Sequence, residues 1–369
     1  MWNTASDAIL EVMNTSVKRW VPFATVPVIA VAAAIAIPLT TNAAQDLPEK
    51  SPQQLLEFVA DSDVSAFSGE FTQTSDLGLP DLSSLGAGSA GDFEGDAIIG
   101  ALVELATTSH DARVYVDADE GARLQVLDRL GERDIVATDD DGTWVYDSGA
   151  KTALHLTADE GPDDTTPPAD VPTPSSVAEK LLDSLDDTTA VSVGSTATVA
   201  GRSAYQLVLT PRGDDSLVGD VTVSVDGETG LPLGIAVTAA DASSPAFSVA
   251  YTSLDFATPD ADLFAFAPPA GTDVTEKTIP AGDHTPGETA PDGAAPGAGD
   301  VTTTGSGWST IVELPAGDAP ASLDGLQAIT TPVDGGRVLS SALVNVLFTD
   351  DGRVLVGAVS IDALESAAR

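Results

Sequence analysis

The chain has no cysteine, so it holds no disulfide and is not an acylated lipoprotein. Its stability has to come from an apolar core, for which 43% hydrophobic residues are ample. Basic residues are scarce as well, 15 against 57 acidic, giving a formal net charge of −42. Nucleic acid and anionic membrane surfaces would repel such a chain, so neither is expected as a partner. Only three histidines occur, His110, His155 and His284. None has the i, i+2 or i, i+4 companion of a metal pair, and no metal or cofactor is expected. The segment Ala87-Gly88-Ser89-Ala90-Gly91 brushes the Gly-x-Ser-x-Gly elbow but lacks the strand before and the helix after it. Asp117-Ala118-Asp119 and Asp139-Asp140-Asp141-Gly142 miss the calcium-loop register and read as hairpin turns. With no poised acid–base pair, the chain reads as a non-enzyme.

What is present is alternation. Val221, Val223 and Val225 alternate with Thr222, Ser224 and Asp226; after Gly227-Glu228-Thr229-Gly230, Leu233, Ile235 and Val237 alternate with Gly234, Ala236 and Thr238. Period-2 patterning buries one face of a strand, and short turns imply antiparallel neighbours. Strands are expected at 66–73, 113–117, 122–130, 134–138, 143–147, 152–156, 196–199, 205–210, 221–226, 233–238 and 247–255. Residues 50–275 are therefore expected to form one curved antiparallel sheet. Helices are expected from Pro52 (Ser51 as N-cap), from Asp96 to about Ser109, and from Ser175 to Leu185. The stretch from Asp76 to Asp96 lacks either period and reads as a long loop. Residues 276–300 read as a Pro/Gly-rich linker. Beyond it, 301–369 reads as a small α+β module, with a strand Trp308–Leu314, a helix Leu323–Ile329 and a hairpin of 337–348 with 354–361.

At the other end, Lys18-Arg19 precede an uncharged run over residues 20–39, followed by Thr41-Asn42-Ala43-Ala44. Residues 1–44 thus read as an export leader cut near Ala43, or as a single membrane anchor. Met13 opens a cleaner basic leader than Met1. In either case the rest of the chain is placed outside the cytoplasm, secreted or anchored to the outer face of the cytoplasmic membrane.

The segment Asp141-Gly142-Thr143-Trp144-Val145-Tyr146-Asp147 with Lys151-Thr152 resembles the Gly-x-x-Trp-x-Tyr-Asp…Lys hairpin of the bacterial lipoprotein-carrier superfamily, the LolA-like carriers and RseB/MucB regulators. Val225-Asp226 through Thr229-Gly230-Leu231-Pro232 resembles its strand–turn–strand, and Phe264–Pro269 its closing strand. Trp308–Pro315 and the Phe348–Gly352 hairpin resemble the small second domain of the regulators. The resemblance implies an unclosed antiparallel half-barrel, mainly β with α, whose helices lie across an apolar concave face. It also implies a lipid or lipoprotein acyl chain as partner, or a membrane-anchored signalling protein. Lining candidates are then Phe67, Phe71, Val114, Val116, Leu124, Val126, Trp144 and Tyr146. Ile98, Ile99, Leu102 and Leu105 form the stripe of a lid helix.

Overall fold

A computed structural model describes residues 47–79, 107–127, 131–158, 173–279, 302–316 and 329–369. The leader, the lid stripe (Ile98, Ile99, Leu102, Leu105) and the helix expected at 323–329 fall essentially outside these residues.

Helix α1 (Pro52–Ala60) begins where Ser51 and Gln54 exchange a reciprocal capping box behind a proline in the first turn. It buries Leu55 and Val59. Strands β1 (Ala66–Ser75), β2 (His110–Asp117), β3 (Gly121–Leu127), β4 (Glu132–Thr138), β5 (Gly142–Asp147) and β6 (Thr152–Ala158) follow as a meander. Helix α2 (Pro174–Asp183) is capped by Thr173 and starts one residue before the expected Ser175. Then come β7 (Thr189–Val193), β8 (Ala197–Val199), β9 (Arg202–Pro211), β10 (Val218–Asp226), β11 (Pro232–Ala239), β12 (Pro245–Asp255) and β13 (Asp273–Ile279). They make one sheet in the order β13-β6-β5-β4-β3-β2-β1-β12-β11-β10-β9-β7, with β8 beside β9. Its two edges do not pair, so the sheet is an unclosed half-barrel. Strand β1 sits near the centre, joined to β12, from which most of the large sheet's sequence separates it.

Three expectations change here. The pairing is not antiparallel throughout, because β13 runs parallel to β6. The segment Phe264–Pro269 is not the closing strand. A 3₁₀ turn over Ala261–Phe264, started by the Asp260 carboxylate accepting from the Asp262 amide, precedes it, and Pro268-Pro269 have no N–H to give a ladder. Strand β7 was not expected; Val191 and Val193 give it too short a period to read.

The second sheet, β14 (Thr302–Thr304), β15 (Ile311–Leu314), β16 (Thr331–Val333), β17 (Gly336–Ser340), β18 (Asn345–Thr349) and β19 (Val354–Gly357), has the order β14-β15-β19-β18-β17-β16. The stretch expected as one arm from Arg337 to Phe348 is two strands. Ser341 breaks it, its hydroxyl accepting from the Val344 amide at 3.0 Å. The expected strand 354–361 stops at Gly357, because Ser360 caps a helix, α3 (Ile361–Ala367). Trp308 lies in a 3₁₀ turn over Gly307–Ser309 and not in a strand.

Candidate functional site

Cross-strand partners share a face of a sheet, and the register therefore sorts every candidate. Phe67 faces Val116, and Phe71 faces Ala112. Val114 faces Leu124, and Ala112 faces Val126. Across the centre, Phe71 pairs with Tyr251 and Gln73 with Val249. All of these point to the side on which α2 packs. Ser175 at the start of α2 donates from its hydroxyl to the Pro232 carbonyl at 2.9 Å and lies 3.3 Å from the Tyr251 hydroxyl. Phe67 and Phe71 meet the Tyr251 ring edge-on at 6.0 and 6.1 Å. Burial pushes the Tyr251 phenol up to about 12, against the opposing pull of its bonds to Ser175 and Thr173.

This inner face encloses a cavity of about 70 Å³. Its apolar walls are Phe71, Ala112, Leu124 and Val126, with Val177 of α2 and Phe247 and Val249 of β12. Gln73, His110 and Thr173 add a polar margin. The volume is under half of the roughly 150 Å³ that admits benzene in an apolar protein cavity. In this arrangement it takes a few methylenes, not a long chain.

Of the lining candidates, Phe71, Leu124 and Val126 thus border the cavity. Phe67 and Val114 are buried beside it in the same core, and Val116 packs against that core half-buried. Trp144 and Tyr146 do not belong with them. Trp144 faces Val136 and Tyr146 faces Asp134, whereas Ala137 and Ile135 carry the inner face across from Ala122 and Leu124. Both rings therefore lie on the opposite, outer face. There Trp144 stacks on His155 with centroids 4.0 Å apart and an interplanar angle of 4°. Its indole N–H donates to the Asp141 carboxylate at 2.8 Å, closing the turn. Phe266 covers both rings at 5.5 and 5.8 Å.

The outer face also holds Arg123 and Asp134, a bidentate pair in which the guanidinium Nε lies 2.9 Å from the carboxylate. A third guanidinium bond, at 3.0 Å, goes to the Leu263 carbonyl and ties down the covering segment. Burial raises the Asp134 carboxyl above its ordinary value despite Arg123. At Asp226, burial pulls the same way, but bonds from Arg202 and Thr229 outweigh it and hold the carboxyl low. That carboxylate is fully buried and fixes the Gly227–Gly230 turn. The acidic turns use their side chains locally too: Asp117 accepts from the Asp119 amide at 3.0 Å. Among the described residues no three acidic or histidine side chains are placed to hold a metal ion.

Sequence reasoning missed Ala112, Val177, Phe247 and Val249 as cavity walls. Alternation marks Phe247 and Val249 as buried and the helical stripe marks Val177, while Ala112 falls just before the expected strand 113–117; the pairing of β1 with β12 and the packing of α2 bring them together.

No protein-family model matches the chain, and no curated protein matches it. Solved structures do. MucB of Pseudomonas aeruginosa in complex with MucA is 18% identical, with a TM-score of 0.43, covering 86% of this chain and 96% of that one. An uncharacterized conserved protein of Thermus thermophilus is 10% identical, TM-score 0.33, covering 61% and 98%. A LolA superfamily protein of Nitrosomonas europaea is 10% identical, TM-score 0.23, covering 59% and 99%. The chain is similar to MucB and LolA-superfamily proteins, the group that its hairpin motifs resemble.

Proposed function

We propose that this is an exported, non-enzymatic carrier or sensor that binds lipid or lipoprotein acyl chains between α2 and the inner face of the large sheet. The observation that carries the reading is the cavity walled by Phe71, Leu124, Val126, Val177 and Phe247. In this reading residues 50–275 are the binding body, 276–300 a linker and 301–369 a second module. Residues 1–44 deliver the chain outside the cytoplasm, as a cleaved leader or as an anchor. Binding is driven by apolar burial, each methylene contributing about 0.8 kcal/mol. Affinity for a series of fatty acids, measured by displacement of cis-parinaric acid from the full chain, should rise about fourfold per added methylene until the cavity is full. Filling the cavity with Ala112→Trp should abolish it. Affinity that ignores chain length would overturn the reading.

A second reading is a regulator acting on a membrane-anchored protein, as the resemblance to the RseB/MucB group implies. Favouring it is the seam between the sheets, where the Trp308 indole N–H donates to the Thr189 hydroxyl at 2.8 Å. A carrier has no evident use for such a fixed second module.

A further inference from the structure

The second sheet reaches into the core of the first. Between β17 and β18, Ser341 folds the chain into a tight turn, its amide donating to the Val344 carbonyl at 3.0 Å. Its hydroxyl donates to that carbonyl at 2.7 Å and accepts from the Val344 amide. The tip of this turn is Leu343, 3% exposed, which clusters with the first sheet's core and not with the second sheet's own. It belongs to the apolar cluster that also contains Phe71, Leu124, Val126 and Phe247, the walls of the cavity, without itself lining that cavity. Ala342 packs against the same cluster, and Val344 bridges it to the second sheet's own core.

Beside Leu343 the Ala342 amide donates to the Leu77 carbonyl at 2.9 Å. Leu77 lies just beyond β1, where Ser75 pairs with Phe247. The turn therefore holds the end of the very strand pair that walls the cavity. Other ties between the sheets include the Leu217 amide donating to the Ala358 carbonyl at 2.8 Å, the bridge of Ser216 with Val359, and Trp308 donating to Thr189.

We infer that the Ser341–Val344 turn is a stopper in the apolar interior of the first sheet, and that seating it and filling the interior with an acyl chain oppose each other. The inference rests on the acyl-binding reading. An interior of about 70 Å³ is too small for a long chain, and Leu343 is an apolar side chain already occupying the same core. A ligand that favours the unseated turn and a seated turn that disfavours the ligand are one coupling free energy, so each must change the other by the same factor. The second sheet would thereby report whether the first is filled.

The test uses the full chain and cis-parinaric acid. Leu343→Ala removes the tip, and Ser341→Ala loosens the turn without touching the core. Both should bind the probe more tightly, Leu343→Ala by about tenfold and Ser341→Ala by less. In the wild type, saturating probe should speed hydrogen exchange of the Ala342 amide by a similar factor while leaving amides of β10 unchanged. Equal affinity in all three proteins with an unchanged Ala342 amide overturns the stopper and leaves acyl binding standing. No probe binding by any of them overturns acyl binding and the stopper together.

Discussion

The two faces of the large sheet are built from different chemistry. The inner face is aliphatic and aromatic from β3 to β9, with Leu124, Val114, Val223 and Leu207 essentially without exposed surface. The outer face carries the pairs with buried carboxylates, Arg123–Asp134 and Arg202–Asp226, and the Trp144–His155 stack. What makes the sequence look familiar, the Trp144 and Tyr146 hairpin, therefore lies on the outer face, held by Asp141, His155 and Phe266. The face proposed here to receive a ligand is a set of ordinary alternating aliphatics that no motif singles out. Fixed polar geometry thus gathers on one face of the sheet, and unmarked apolar surface on the other.

Breaking the outer face should cost stability and spare binding. Arg123→Ala leaves Asp134 buried without its partner and should lower unfolding free energy by about 3–5 kcal/mol in urea titrations. Combining Arg123→Met with Asp134→Leu should instead come back close to wild type, because both charges then leave together. Fatty-acid affinity of the protein that remains folded should not move in either variant. A loss of affinity here would mean that the faces are coupled.

The inner face should show itself in alkali. Tyr251 ionises near 12 in the folded chain and at about 10 when unfolded. Its neutral form is thus favoured by folding. That contribution is complete below about pH 10, declines as pH rises from there to about 12, and amounts to about 2–3 kcal/mol. Comparing Tyr251→Phe with wild type at about pH 9 and pH 12 isolates it; the variant should lose less stability over that interval.

The smallest effect expected is at Trp144. Trp144→Phe removes the bond to Asp141 and should cost about 1 kcal/mol, with chain-length dependence of binding intact. If binding fell instead, the outer face would have a part in binding.

Most of the strands were legible because alternation is a local property: Val221 to Val237 could be read residue by residue. The helix start at Ser51-Pro52 was legible for the same reason, since a cap and a proline act within one turn. The side on which Trp144 lies was not. Thr143 and Val145 alternate with Trp144 and Tyr146, and both sets are apolar enough to face a core, so only the register against Val136 and Ala137 decides. Strand β13 was missed because residues 273–278, Val274 among them, are exposed and show no buried face to give a period. The cavity depends on contacts far apart in sequence, and no local pattern encodes them.

The central position of β1 has a consequence for how the chain folds. Its partners on one side, in β2, lie within some fifty residues, but on the other side Ser68 pairs with Asp255. As the protein emerges N-terminus first, β1 to β6 can zip as a local meander, and β9 to β12 as another. Between those events the β12-facing edge of β1 has no mate. Joining the halves requires closing a loop of most of the body, the kind of non-local step that slows folding and leaves a strand edge open to other chains. A surface at −42 keeps nascent copies apart during that wait.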